Sequence, residues 1–127
     1  MDKSILVIDD EAAIRRSFIL ALEDSGFEVD TAEDGREGIR MAGEKDYGMI
    51  YLDLKMPGLN GVETLKRLRA KDKNVPVYIV TAFYGEFLGE LRQCQVDGCL
   101  FEVLKKPIGI DEILMVTKSV LEEPVQY

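Results

Sequence analysis

Histidine is absent from this 127-residue chain, and so is tryptophan. Without His, the commonest general base and the commonest transition-metal ligand are missing. Chemistry must come from Asp, Glu, Lys, Thr or Ser. Cysteine is nearly absent: Cys94 and Cys99 are the only two, and no other soft ligand accompanies them. They read as reduced thiols of a cytoplasmic protein, not as a disulfide or a zinc pair. No apolar run approaches the ~20 residues of a membrane span, and Met1–Ser4 leads straight into a strand-like run, unlike a targeting segment. Positive charge is in deficit, with 16 Lys and Arg against 24 Asp and Glu and a net charge of −8. Such a domain lacks the basic face that nucleic acids and anionic membranes require, so neither is expected as a direct partner.

What the chain does have is a core-forming share of hydrophobic residues, 46%, in a length that suits one domain. Short apolar runs alternate with stretches of helical period. Strands are expected at Ser4–Asp9, Glu28–Thr31, Met49–Asp53, Val77–Thr81 and Cys99–Leu104. Runs such as I-L-V-I and V-Y-I-V are continuous, as in central parallel strands covered on both faces. Helices are expected at Glu11–Ser25, with Ile14, Phe18 and Leu22 inward and Gly26 closing it, from Asp34 or Gly35, and after a cap at Asn60, with Val62, Leu65 and Leu68 inward. A weak helix over about Tyr84–Gln95 is interrupted by Gly85 and Gly89. A last one is capped by Asp111 and turns Ile113, Leu114, Val120 and Leu121 inward. Five βα units give an α/β, doubly wound sandwich. One domain is expected over residues 1–122, with 123–127 a tail or linker stub.

Polar residues recur where the strands end. Asp9 and Asp10 follow the first run, Asp53 the third, Thr81 the fourth, and Lys106 the fifth, just before Pro107. In an open parallel sheet these ends share one edge, where ligands bind. Alone, each has an ordinary reading: a helix cap, a turn residue, a β-branched strand end, a solvated lysine. Together, three carboxylates, a hydroxyl and an ammonium suit a divalent cation and a phosphoryl group. Mg2+ takes oxygen ligands from one or two carboxylates plus water and phosphate, and an Asp can be a nucleophile toward phosphorus. Lys106 is expected to pair with Asp53 at rest. The Lys106–Pro107 bond is where a cis peptide costs least.

With I-L-V-I-D-D-E, A-E-D-G-R-E-G-I, D-L-K-M-P-G-L-N-G, V-T-A and K-K-P-I in place, the chain resembles a receiver (CheY-like) domain of bacterial two-component response regulators over Lys3 to about Leu121. The resemblance implies a flavodoxin-like fold with a five-stranded parallel sheet in the order 2-1-3-4-5. It implies Asp53 as phosphoacceptor, served by a histidine kinase or histidine phosphotransfer protein, and a phosphorylation-dependent change on the surface of the fourth helix, fifth strand and fifth helix. It further implies Mg2+ held by Asp10, Asp53 and the backbone carbonyl of Lys55, with Asp9 acting through water, and phosphoryl oxygens bound by Thr81 and Lys106. The output would be a downstream protein, an attached output domain or a phosphorylation-dependent dimer; no such domain is seen within the chain, which reads as a stand-alone receiver or an excised one. It would not be an enzyme beyond its own phosphorylation and dephosphorylation.

Some features depart from the family pattern. The stretch from Gly98 to the Lys-Pro pair is one residue longer than the family pattern, which sets Lys105 beside Lys106 as a candidate; adjacency to proline favours Lys106. The family's aromatic on the fifth strand is replaced by Val103, and Phe101, two residues away, is the expected substitute. Lys55 and Phe83 should flank the site and screen attacking water. Ile19 and Leu20 lie off the core stripe of the first helix and suit kinase docking. Two other readings are an Asp-nucleophile phosphohydrolase, which would want an acid where Lys55 stands, and a receiver-like binding module that is not phosphorylated.

Overall fold

The computed structural model describes residues 3–122; the tail expected at 123–127, and Met1 and Asp2 of the N-terminal segment, lie outside them. Five parallel strands, β1 (Ser4–Ile8), β2 (Glu28–Ala32), β3 (Met49–Leu52), β4 (Val77–Thr81) and β5 (Glu102–Lys105), form one sheet in the order β2-β1-β3-β4-β5. The helices are α1 (Ala12–Glu23), α2 (Gly35–Glu44), α3 (Gly61–Lys71), α4 (Leu88–Val96) and α5 (Ile110–Leu121). The fold and strand order are those expected.

Continuous apolar runs became the central strands: every residue of β1 and β3 is buried. Side chains alternate across a strand, so these strands feed two cores. Leu6, Ile8, Ile50 and Leu52 meet Val62, Leu65 and Leu68 of α3 and Leu91 and Cys94 of α4. Ile5, Val7, Met49 and Tyr51 meet Phe18 and Leu22 of α1 and Ile113 of α5. Asn60 caps α3, its Oδ1 accepting from Glu63 N at 3.0 Å. Asp34 caps α2 through Glu37 N at 2.8 Å.

The boundaries differ in places. The region expected as one helix over Tyr84–Gln95 is a 3-10 turn, Tyr84–Phe87, followed by α4. Asp111 is not a cap. Gly109 occupies that position, and Asp111 and Glu112 lie in the first turn, where acidic groups complement the helix dipole. Strand β5 starts at Glu102, later than the expected Cys99, because the Leu100 carbonyl is taken by the Arg69 guanidinium, from Nε at 3.0 Å and Nη2 at 2.7 Å. Phe101 therefore precedes the strand. It packs on the same core as Val103, as its spacing suggested.

Candidate functional site at the carboxyl edge of the sheet

Each site residue is delivered by the end of a strand. Asp9 follows β1 and its backbone N–H donates to the Ala32 carbonyl of neighbouring β2 at 3.1 Å; Asp53 follows β3 and donates to Ile8 at 2.9 Å. Lys106 follows β5 and donates to the Thr81 carbonyl at 3.0 Å. Ladder bonds thus run past the strand ends and hold the site backbone rigidly. Behind Asp53, Gly61 opens α3 against the β3 terminus; a Cβ there would collide with the Asp53 carbonyl oxygen and the Leu54 Cα. Only glycine lets the helix start so close to the acid.

The side chains converge. Carboxylate oxygens of Asp9, Asp10 and Asp53 all lie within 4.8 Å of one another. Asp9 and Asp53 are buried, 2% and 4% exposed, while Asp10 is exposed. Lys106 reaches in from the other side, its Nζ 3.0 Å from Asp9 Oδ2 and 3.6 Å from both Asp53 Oδ2 and Glu11 Oε1. Its shortest ion pair is with Asp9, where Asp53 had been expected. Lys105 is exposed and stands opposite Thr81 in the β4–β5 register. The Lys106–Pro107 peptide is cis.

Electrostatics here are unbalanced. Burial pushes the Asp53 carboxyl up to about 7, with the neighbouring Asp9 charge adding to it; Lys106 and the Leu54 N–H, 2.9 Å from Asp53 Oδ1, oppose the rise without cancelling it. Burial also raises Asp9, against the Glu11 N–H and Lys106. For Lys106 burial is the largest influence and lowers its pKa, but the Asp9 hydrogen bond and the Asp9, Asp53 and Glu11 charges together carry it above the ordinary lysine value. Two buried acids share one cation, so the site has room for more positive charge. Clustered carboxylate oxygens without soft donors fit a hard dication with oxygen ligands; Asp9, Asp10 and Asp53 are the side chains that would hold it.

Thr81 is buried and its Oγ1 accepts from Phe83 N at 2.9 Å, which aims the hydroxyl along the edge. Beside it opens a cleft of about 270 Å3 lined by Thr81, Ala82, Tyr84, Gly85, Lys105 and Lys106. Phe101 does not reach it. Glu102 pairs with Tyr78, so Phe101 lies about four residues back along the sheet from Thr81, roughly 13 Å at 3.3 Å per residue. Tyr84 is the aromatic that lines the cleft.

Lys55 and Phe83 meet on the loops that follow β3 and β4. Lys55 Nζ sits 4.3 Å from the Phe83 ring centroid and 3.3 Å from Glu86 Oε1. Sequence reasoning found the first two and missed Glu86, as it missed Glu11 beside Lys106. Glu11 directly follows the Asp pair and was legible there; Glu86 has no local signal. On α1, Leu20 is 67% exposed and Ile19 half-buried.

A rigid acidic edge, a strand-end lysine and a hydroxyl on a doubly wound sheet define a class, and the comparisons agree. The chain belongs to the response regulator receiver domain family, whose model matches residues 5–118. It is 42% identical over 119 residues to the uncharacterized transcriptional regulatory protein YkoG of Bacillus subtilis, covering 94% of this chain and 51% of that protein. It is 33% identical over 121 residues to sporulation initiation phosphotransferase F of the same organism, covering 95% of each. The structure of Vibrio cholerae chemotaxis protein CheY4 superposes with a TM-score of 0.79 at 30% identity, covering 93% of this chain and 98% of that one. The chain thus spans about half the length of some curated relatives and nearly all of another. Receiver domains are signalling switches, generally not enzymes, and generally bind Mg2+ through an acidic cluster. Among the described residues, no helix is long and apolar enough to cross a membrane.

Proposed function

We propose that the chain is the Mg2+-dependent phosphoacceptor switch of a cytoplasmic two-component phosphorelay, with its domain over residues 1–122. The observation that carries this reading is the convergence of Asp9, Asp10 and Asp53 on Lys106 at one sheet edge. An Asp53 oxygen attacks the phosphorus of a phosphohistidine on a kinase or phosphotransfer protein, or of a small acyl phosphate. The bond from phosphorus to the donor breaks, and the donor leaves with its electron pair. Attack requires the carboxylate form, which burial opposes, so added positive charge favours the reaction. Mg2+, when bound, supplies that charge; Asp9, Asp10, Asp53 and the Lys55 carbonyl would hold it. Lys106 would exchange its carboxylate contacts for a phosphoryl oxygen, and Thr81 would donate its hydroxyl to another.

Exposed Leu20 on α1 suits the docking of the phosphodonor protein. The altered surface would be that of α4, β5 and α5, read by a downstream protein, an attached output domain or a second copy. The net charge of −8 opposes direct nucleic-acid contact. The test is intact mass after incubation with acetyl phosphate and Mg2+. A single phosphoryl adduct is expected, absent from Asp53→Asn and from samples in excess chelator. An unmodified mass, or an adduct that persists in Asp53→Asn, overturns the assignment.

A further inference from the structure

Two helices end in the same way. After α1, Gly26 at φ 86° donates to Glu23 O at 3.1 Å and Phe27 N donates to Leu22 O at 3.3 Å. After α4, Gly98 at φ 88° donates to Gln95 O at 3.1 Å and Cys99 N donates to Cys94 O at 2.8 Å. This is the Schellman motif, which sets a residue of the last turn against the residue just past the glycine. At the end of α1 the pair is Leu22 and Phe27, both buried in one core. At the end of α4 the equivalent pair is two free cysteines.

The Cys99 thiol lies near enough to add to the rise that burial imposes on the Cys94 thiol, and the surroundings of the two differ. Cys94 is fully buried under α4. Cys99 is half-buried and lines a cleft of about 350 Å3 with Lys66, Arg69, Lys73 and Asp97. Three cations and one acid line the cleft, and Lys66 is also paired with Glu63 at 3.5 Å. Arg69 is fixed in place by its bonds to the Leu100 and Asp72 carbonyls; Lys66 and Lys73 are exposed at the rim.

We propose that Cys94 and Cys99 form a thiol-modification site at which an anionic low-molecular-weight disulfide, of the glutathione class, oxidises the pair to an internal disulfide. The Cys99 thiolate attacks one sulfur of the small disulfide; an S–S bond forms to Cys99 and one small thiolate leaves. The Cys94 sulfur, losing its proton to solvent, then attacks Cys99 sulfur and expels the second small thiolate. Two protein thiols and one small disulfide become one protein disulfide and two small thiols. Exposure sets the order, because only Cys99 can be approached from the cleft, and burial keeps the Cys94 thiol up at about 11, a poor first nucleophile. The product ties the end of α4 to the segment entering β5.

The test uses the full chain under native conditions with oxidised glutathione, a maleimide block and intact-mass measurement. Wild type should lose two hydrogens, refuse maleimide and recover on reduction. Cys94→Ser and Cys94→Ala should each stop with one glutathione on Cys99, and Cys99→Ser should stay unmodified. Oxidised glutathione should react several-fold faster than a neutral disulfide, and a Lys66→Glu, Lys73→Glu double variant should erase that preference. Wild type that keeps both thiols, stops at the mixed disulfide or forms a disulfide-linked dimer overturns the proposal. So does a Cys99→Ser variant that reacts like wild type.

Discussion

The two sides of the β3–β4 region are built differently. On one side α1 and α5, 12 residues each, close over Phe18, Tyr51 and Ile113. The Phe18 and Tyr51 rings sit 4.6 Å apart, and the Tyr51 hydroxyl is 2.6 Å from Thr117 Oγ1. On the other, α3 is also well packed, with Val62, Leu65 and Leu68 buried, while α4 has nine residues, with Leu91 and Cys94 buried, and follows a 3-10 turn with none buried. Exposed apolar side chains occur on both sides, Phe83, Val96 and Leu100 here and Leu20, Ile110 and Met115 on α1 and α5, but β5 has no buried residue. The acids hang from the strands that both cores clamp. Thr81 and Lys106 hang from the strands that lead to the looser corner. The contrast suits a device in which a fixed acceptor acts on a movable reporter, since mobile elements are drawn from regions with few buried contacts.

The largest expected effect tests the tight side. Phe18→Ala should cost roughly 3–5 kcal/mol in urea unfolding, whereas Leu100→Ser at the loose corner should stay within about 0.5 kcal/mol. Equal losses would erase the contrast.

Next comes the charge stored at the site. Folding raises Asp53 from the ordinary 3.8 to about 7, so the folded state binds the proton more tightly. The associated stability is fully present below about pH 4 and lost as pH rises through 7. Asp53→Asn should therefore melt higher than wild type at pH 8, by on the order of 2 kcal/mol, and the gap should shrink toward pH 4. Added Mg2+ should raise the wild-type melt at pH 8 and chelator should reverse it. A gap that does not change with pH would remove the electrostatic account.

Smaller still, Thr117→Val keeps the shape but deletes the hydroxyl beside Tyr51, which retains only a long contact of 3.5 Å to the Ile113 carbonyl. A loss of about 1 kcal/mol is expected, read from the same unfolding curves. A small effect on stability belongs to the Lys55, Phe83 and Glu86 cluster, whose exposed ion pair is of the kind worth ~0–1 kcal/mol. Its signature is kinetic: Lys55→Asn and Phe83→Glu should lose the Asp53 phosphoryl group a few-fold faster, followed by decay of the adduct mass. Unchanged decay would mean that the cluster does not screen water.

The central strands and the site residues were legible because burial on both faces writes an uninterrupted apolar run, and the first polar residue after it marks the edge. The α4–β5 corner was misread for the same physical reason. Cys99, Leu100 and Phe101 are apolar enough to extend a strand, yet Arg69, 31 residues away from Leu100, claims the backbone. Asp111 carried a cap signal that Gly109 preempted by starting the helix earlier. The β4–β5 register sets Phe101 away from the cleft beside Thr81, which spacing from Val103 alone does not reveal; Tyr84 lines the cleft because the 3-10 turn brings it there.

Amide hydrogen exchange with and without beryllofluoride, a phosphoryl mimic, measures the contrast between the two sides at once. The largest changes should fall within residues 82–104, with α1 core amides unchanged, and Tyr84→Ala should diminish the response while Phe101→Ala and Val103→Ala leave it intact. Changes centred on α1, or a response that Phe101→Ala abolishes and Tyr84→Ala spares, would contradict the account.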